Sequence, residues 1–278
     1  MDTETLFDAA AAAEDAPPID LEDEASVKKV LAGDHPVIED PPDLTIDLPR
    51  GYKSQTVVEV RELTGADEER LARLKNQSEE EAINTLVSLA LVRIGDISLS
   101  DEPLSYRRQI LSSLLLSERS LIFLGIVKAT FGDNKDLQFV CNNCDAENAV
   151  TLILSEDFPI TFPNESETLK PSYTFYTRKG QEVEWRLPVV KDADGMDKLK
   201  TVPERSSKML SEVILNVDGK ELLDPDIWVK NMGMADRQKF VESIDEVQPY
   251  VDTVVKTECA SCGKEQQIPL SWGDFLLP

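Results

Sequence analysis

The four cysteines carry the clearest chemical pattern in this chain, because they fall into two Cys-x-x-Cys pairs. Cys141 and Cys144 form the first pair, and Cys259 and Cys262 form the second. Two residues between thiolates let a tight turn direct both sulfurs at one tetrahedral ion, and two such turns complete a closed four-cysteine site. The spacing therefore predicts a structural zinc ion held by all four cysteines. A catalytic zinc is disfavoured, because four thiolates leave no coordination position open.

Three competing interpretations of the cysteines are weaker. Disulfides are disfavoured because the sequence shows no secretory signal peptide and cytosolic thiols stay reduced. A redox pair would place its first thiol at a helix N-terminus, whereas both pairs lie between strand-like patterns. Four unrelated buried cysteines are not expected to share both their spacing and their flanking sequences.

The flanks of the two pairs indicate which elements position the sulfurs. A strand-like segment precedes each cysteine pair, at 137–140 and at 254–257. After each pair come two apolar residues two positions apart, at the same distance from the second cysteine. This alternation predicts a β-hairpin with each Cys-x-x-Cys at its turn. Gly263 and Asp145 occupy matching positions after the second cysteine, where a left-handed backbone would close the turn.

The rest of the chain predicts an α+β fold with a helical N-terminal half. A strand at 56–60 is followed by amphipathic or apolar helical patterns, so we predict a mainly helical region at 51–136. We predict that 137–278 forms a split four-cysteine zinc ribbon of two knuckle hairpins. A long α/β insertion at 153–253 would separate the hairpins, since so many residues cannot form a plain loop.

The first fifty residues differ in kind from the rest, because they hold fourteen acidic and only three basic residues. Their composition predicts an acidic, disordered or extended arm at 1–50. Two interpretations stay open: a solubilising tail, or an arm that becomes ordered on a partner. In the second, Val37–Ile38 and Leu44–Leu48 would be apolar anchors, and the latter could add a strand to the edge of a partner's sheet.

Charge and composition exclude several classes of function. The formal net charge of −24 argues against nucleic-acid binding and against anionic membrane surfaces. The longest wholly apolar run, Leu121–Val127, is too short to span a bilayer.

A single histidine, His35, and the absence of a phosphate-binding glycine loop or a GxSxG elbow predict that the protein is not an enzyme. The acidic stretch at 192–197 lacks the spaced ligands of an EF-hand, so we predict a turn there.

Several segments, in order and spacing, resemble one family. They are VEVRELTG at 58–65 with the acidic run after it, the helical block, FVCNNC at 139–144, the following hairpin, PYVD at 249–252, ECASCG at 258–263 and the terminal PLSWGDFLLP. Together, over about 56–278, the chain resembles the baseplate hub assembly and tail structural proteins of contractile-tailed bacteriophages.

The resemblance implies a structural or assembly role in the tail baseplate, through binding to other tail proteins. It also implies that Cys141, Cys144, Cys259 and Cys262 are the zinc ligands. The protein would be found in the host cytoplasm during assembly and then in the virion tail. The alternatives from other classes are a zinc-ribbon adaptor of transcription and, more weakly supported, a tail-associated hydrolase.

Overall fold

The computed structural model describes residues 44–73, 78–163 and 169–276, which combine helices with antiparallel sheets. The helices are α1 (Gly65–Ala72), α2 (Glu79–Ala90), α3 (Leu104–Ser113), α4 (Leu116–Phe131), α5 (Leu154–Asp157), α6 (Val202–Val213), α7 (Pro225–Asn231), α8 (Met234–Asp245) and α9 (Trp272–Leu276). The strands are β1 (Leu44–Tyr52), β2 (Gln55–Val60), β3 (Leu91–Ile94), β4 (Ile97–Ser98), β5 (Asn134–Val140), β6 (Glu147–Ile153), β7 (Ile160–Thr161), β8 (Tyr173–Tyr176), β9 (Glu182–Trp185), β10 (Ile214–Val217), β11 (Tyr250–Val251), β12 (Val254–Glu258) and β13 (Glu265–Pro269). This mixture of helices and sheets agrees with the predicted α+β class.

Side chains at the helix N-termini explain where several helices begin. Thr64 and Asp67 form a capping box at the start of α1, because Thr64 Oγ1 accepts from the Asp67 N–H and Asp67 accepts in turn from the Thr64 N–H at 3.0 Å. Ser78 Oγ caps α2 by accepting from the Glu81 N–H at 3.3 Å. Each contact satisfies an N–H that the helix itself leaves without a partner.

The first core forms where a four-stranded antiparallel sheet packs on α4. The strand order is β1-β2-β3-β4. The middle of α4 is apolar on nearly every side, and Ile122, Phe123, Ile126 and Val127 have no exposed surface, as expected for a central helix. A Cβ atom at Gly125 would lie 2.3 Å from a side-chain carbon of β1. The absence of a side chain there therefore lets the strand approach α4 closely.

The predicted arm at 1–50 is wrong for its last residues. Leu44–Arg50 belong to β1, which pairs with β2 of the same chain, so that Leu44 lies opposite Val60. Leu48 is 4% exposed and belongs to the first core. The alternating pattern of this segment correctly predicts a strand, but the strand joins a sheet of the same chain and not the sheet of a partner. The other predicted anchor, Val37–Ile38, lies outside the described residues.

A buried carboxylate fixes the turn between β1 and β2 against α4. Glu118 has no exposed surface and accepts hydrogen bonds from three backbone N–H groups: Arg50 at 2.6 Å, Gly51 at 2.5 Å and Leu115 at 2.8 Å. A buried carboxylate is tolerated when such donors replace its water. Glu118 therefore ties the sheet to the start of its central helix.

The region predicted to be mainly helical, 51–136, is a mixture of helices and strands. It contains α1 to α4, as expected, but β2, β3, β4 and the start of β5 also lie in it. Of the short strands around 91–98, β3 pairs with β2 and β4 pairs with β3, and helical periodicity does not reveal such pairing. Apart from residues 44–50, the predicted division of the chain into three regions stays a prediction.

The segment between the two cysteine pairs builds a second core. The sheet β10-β9-β8 packs against α6, α7 and α8 around Trp185 and Phe240, whose ring centroids lie 5.7 Å apart. Within this sheet, β8 and β9 pair as an antiparallel hairpin. The acidic stretch predicted as a turn contains parts of two short 3-10 helices, and its Asp192 is buried and paired with Arg186 at 2.6 Å.

Both cysteine hairpins begin from the first core. Leu152 at the end of β6 and Val255 in β12 are buried there. The chain returns through α9, where Phe275 and Trp272 contact Phe123 of α4, with ring centroids 6.4 and 5.4 Å apart. The bases of the hairpins β5-β6 and β12-β13 are thus held by one core. None of the helices in the described part of the chain has the length and apolar character of a membrane span.

Candidate metal centre

Each cysteine pair lies in the turn of a β-hairpin, and the two turns have the same backbone hydrogen bonds. In the first, the Cys141 N–H donates to the Ala146 carbonyl at 2.9 Å, and the Asp145 N–H donates to the Cys141 carbonyl at 3.1 Å. In the second, the Cys259 N–H donates to the Lys264 carbonyl and the Gly263 N–H to the Cys259 carbonyl, at 2.9 and 2.8 Å. The predicted repeat of the hairpin and its turn is confirmed.

The residue that closes each turn has the left-handed backbone expected from the sequence. Asp145 has φ +56° and Gly263 has φ +67°. Glycine adopts this conformation without steric cost, and aspartate tolerates it better than most residues. The closure directs both sulfurs of each pair to the same side of their turn.

The two turns face each other and bring the four sulfurs together. All four Sγ atoms lie within 4.8 Å of one another. Two contacts join the hairpins: Cys141 Sγ lies 3.8 Å from Cys262 Sγ, and Cys144 Sγ lies 3.7 Å from Cys259 Sγ. These distances are far longer than the roughly 2.05 Å of a disulfide bond, and the four cysteines are free thiols.

The size of this cluster fits a tetrahedral metal ion. A zinc–sulfur bond of about 2.3 Å implies that sulfurs at the corners of a tetrahedron lie about 3.8 Å apart. The two sulfur–sulfur distances between the hairpins given above, 3.8 and 3.7 Å, match this value. The cluster can therefore hold a metal ion, with four sulfur ligands and no position left for a substrate.

Two amide side chains that were not predicted from the sequence hold the turns against each other. Asn148 Oδ1 accepts from the Ala260 N–H at 2.9 Å, and Gln266 Oε1 accepts from the Asn142 N–H at 3.1 Å. The exchange is reciprocal: each amide belongs to one hairpin and binds the first residue between the cysteines of the other. We call Asn148 and Gln266 the amide clamp.

The signal for the amide clamp is present in the sequence. Asn148 lies four residues after Cys144, and Gln266 lies four residues after Cys262. A glutamate precedes each of them, so the repeat extends beyond the cysteines to Cys-x-x-Cys-x-x-Glu-amide. Alignment of the two halves residue by residue, rather than by apolar positions alone, would have found the pair.

Asn143 supplies a further contact between the turns. Its Nδ2 atom donates to Cys262 Sγ at 3.7 Å, and its Oδ1 atom accepts from Lys264 Nζ at 2.7 Å. The Asn143 N–H also points at Cys141 Sγ, at 3.4 Å. N–H groups directed at sulfur stabilise thiolate charge, which the ligands of a cation must carry.

The crowding of four thiols separates their acidities. The pKa of Cys259 is lowered to about 6: burial raises it, but the backbone N–H groups of Cys262 and Ser261 and the neighbouring thiols outweigh that effect. The pKa of Cys144 is raised to about 12: the backbone N–H of Ala146 lowers it, but hydrogen bonds to the other three thiols and burial together outweigh that effect. Cys259 and Cys144 therefore do not ionise together near neutral pH unless a cation compensates their charge.

Comparison with known proteins adds an independent finding. A family model described as T4 bacteriophage base plate protein matches residues 42–273, which is well over half of the chain. No curated protein and no solved structure matches the chain. The match includes both cysteine hairpins, the segment between them and the sheet that begins with β1. The chain therefore belongs to the T4 bacteriophage base plate protein family.

Proposed function

We propose that this protein is a structural or assembly component of the phage tail baseplate. It works by binding other tail proteins, first in the host cytoplasm and then in the virion tail. The observation that carries the proposal is the family match over residues 42–273. The same match favours this role over the two alternatives, an adaptor of transcription and a tail-associated hydrolase.

We further propose that Cys141, Cys144, Cys259 and Cys262 bind one structural zinc ion and that their hairpins form a split zinc ribbon. Support comes from the tetrahedral sulfur spacing and from the donor set, since four cysteine thiolates in this arrangement are typical of structural zinc. The ion would supply charge compensation and cross-linking, and the closed sulfur shell leaves it no catalytic position.

The position of the site explains what such a cross-link would do. Each close sulfur pair joins residues more than a hundred positions apart. The intervening chain forms the second core, while the bases of both hairpins lie in the first. A metal at the hairpin tips would therefore close a very large loop, and loop closure restrains the unfolded chain more as the loop grows.

The amide clamp gives a prediction about metal affinity. Asn148→Ala is expected to weaken zinc binding about 10- to 100-fold, because residues that orient the ligands of a metal have effects of this size. The measurement is competition for zinc with a chromophoric chelator. Asn148→Gln keeps an amide acceptor, as at Gln266 of the other hairpin, and is expected to retain most of the affinity.

The control for this experiment is Glu147→Ala, which changes the exposed neighbour on the same strand. It removes a side chain of similar size that makes no hydrogen bond between the turns. If Asn148→Ala and Glu147→Ala release zinc to the chelator equally, the clamp does not orient the cysteine turns.

The test of the proposed function is co-expression with the tail proteins encoded near this chain, followed by affinity capture and size-exclusion chromatography. We expect one of these proteins to elute with this chain as a defined complex. Electrostatic contacts of the complex should weaken with salt, whereas apolar contacts should not. Failure to capture any tail protein, together with absence from virions and from tail assembly intermediates, would overturn the proposal.

A further inference from the structure

Two cavities meet beside the N-terminal turn of α4. Their volumes are about 410 and 440 Å³, and Glu80, Ala193 and Asp197 line both of them. They therefore form one continuous depression between the start of α4 and the 3-10 segment at 190–198. We call this depression the groove.

One end of the groove is apolar. Its lining includes Leu116, Met196, Met209 and Val251, together with Tyr250, which is 46% exposed. Methionine side chains adapt to different shapes, and aromatic side chains are frequent anchors in protein interfaces. This end fits a large apolar side chain.

Two buried polar atoms at the apolar end have no hydrogen-bond partner within the described ranges. Ser117 is 4% exposed and Arg119 is 5% exposed, and both line the cavity. Ser117 Oγ and Arg119 Nε make no hydrogen bond to any described residue, although Arg119 pairs with Glu80 through its other nitrogens. Since an unsatisfied buried polar atom is costly, these two atoms point to a ligand that supplies hydrogen-bonding groups, such as a peptide.

The other end of the groove is acidic. Glu80, Glu81, Asp194 and Asp197 line it together with Lys198, and Arg205 lines the cavity at the apolar end. Glu81 is paired with Arg108 at 3.0 Å. By contrast, no ion pair to Asp194 or Asp197 is found in the part of the chain that the structure describes.

The electrostatics of this end favour the arrival of a cation. The pKa of Asp194 is raised, first by burial and then by the negative charges of Glu81 and Asp192, although the positive charge of Lys208 opposes the shift. A cation placed beside Asp194 would offset this repulsion. A metal ion is a poor candidate, because among the described residues only the four cysteines approach one another closely enough to share an ion.

We propose that the groove binds a segment of another tail protein in which a large apolar side chain lies next to a lysine or arginine. The apolar side chain enters between Met196, Met209 and Tyr250, and the basic side chain lies against Asp194 and Asp197. Charge complementarity selects this partner. The proposal rests on the proposed function, because it names the surface through which this protein meets a tail partner.

The first experiment identifies what occupies the groove. Tyr250 is replaced by the photo-crosslinking residue p-benzoylphenylalanine in the full chain, which is then co-expressed with the neighbouring tail proteins and irradiated. We expect a cross-link to a tail protein, at a peptide that carries a lysine or arginine beside a large apolar residue. A cross-link to a second copy of this chain, or to its own residues 1–43, would overturn the proposal.

The second experiment tests the charge. Asp197→Lys is expected to weaken binding of the captured tail protein about tenfold or more, since a like charge would replace the complementary one. Glu221→Lys is the matched control, because it makes the same reversal at an exposed residue outside the groove. Exchange of the cross-linked basic residue of the tail protein for glutamate is expected to restore binding to the Asp197→Lys chain.

Comparison of the three chains distinguishes failure of the groove proposal from failure of the proposed baseplate function. Equal binding by the unchanged chain, Asp197→Lys and Glu221→Lys would overturn the groove and leave the baseplate role intact. Absence of binding by all three would overturn the groove, and together with absence of the chain from virions and from tail assembly intermediates it would overturn the baseplate role as well.

Discussion

Replacing Cys259 with serine is expected to remove the bound metal and several kcal/mol of folding stability. Cys259 is buried, its pKa is lowered to about 6, and its sulfur lies 3.7 Å from Cys144 of the other hairpin. A serine hydroxyl stays protonated at neutral pH and does not replace a thiolate ligand. Binding free energy at a structural zinc site contributes directly to folding, so the loss is large beside a total stability of about 5–15 kcal/mol.

The measurement is thermal unfolding of the purified chain, together with its zinc content. A loss of several kcal/mol corresponds to a fall in melting temperature on the order of 10 °C for a chain of this size. Ser261→Ala is the matched control, because it changes an exposed residue between the same two cysteines. Equal melting temperatures for Cys259→Ser and Ser261→Ala would show that the site contributes nothing to the fold.

Deleting residues 1–50 is expected to destabilise the protein severely, whereas deleting residues 1–43 is not. The longer deletion removes most of β1, including the buried Leu48, and the Arg50 N–H that donates to Glu118 at 2.6 Å. Loss of a buried leucine costs about 2–5 kcal/mol, and depriving a buried charge of its donors adds further cost. The sum approaches the whole stability of an ordinary domain.

The two truncated chains form their own matched pair, because they differ only in 44–50. We expect the 1–43 deletion to keep one cooperative thermal transition close to that of the full chain, since that segment lacks the periodic apolar residues of a shared core. The 1–50 deletion should melt far lower or lose its transition. If both deletions leave the transition unchanged, β1 does not belong to the core.

The sequence was most informative about local geometry. The Cys-x-x-Cys spacing, the strands on either side and the left-handed positions at Asp145 and Gly263 all follow from short-range patterns, and the structure shows them as predicted. The convergence of the two pairs was also predictable, because their flanks repeat. Short-range sequence patterns are sufficient to predict the geometry of each Cys-x-x-Cys turn, since the backbone of four consecutive residues determines where their side chains point.

What the sequence did not reveal depends on contacts between distant residues. Alternation identifies Leu44–Leu48 as strand-like, but it does not say which sheet the strand joins, and the true partner is β2. The role of Glu118 depends on backbone N–H groups that are distant in sequence. The amide clamp lies between these cases, because its positions repeat in the sequence while its function appears only when the two turns face each other.

Native mass spectrometry of the full-length chain, expressed in cytosol and purified without chelator, tests the proposed zinc site most directly. We expect one zinc ion per chain, released when the protein is unfolded in acid, since protonated thiols no longer bind the metal. A mass equal to that of the metal-free chain, or one lowered by the hydrogens of two disulfides, would contradict the proposed four-cysteine zinc site.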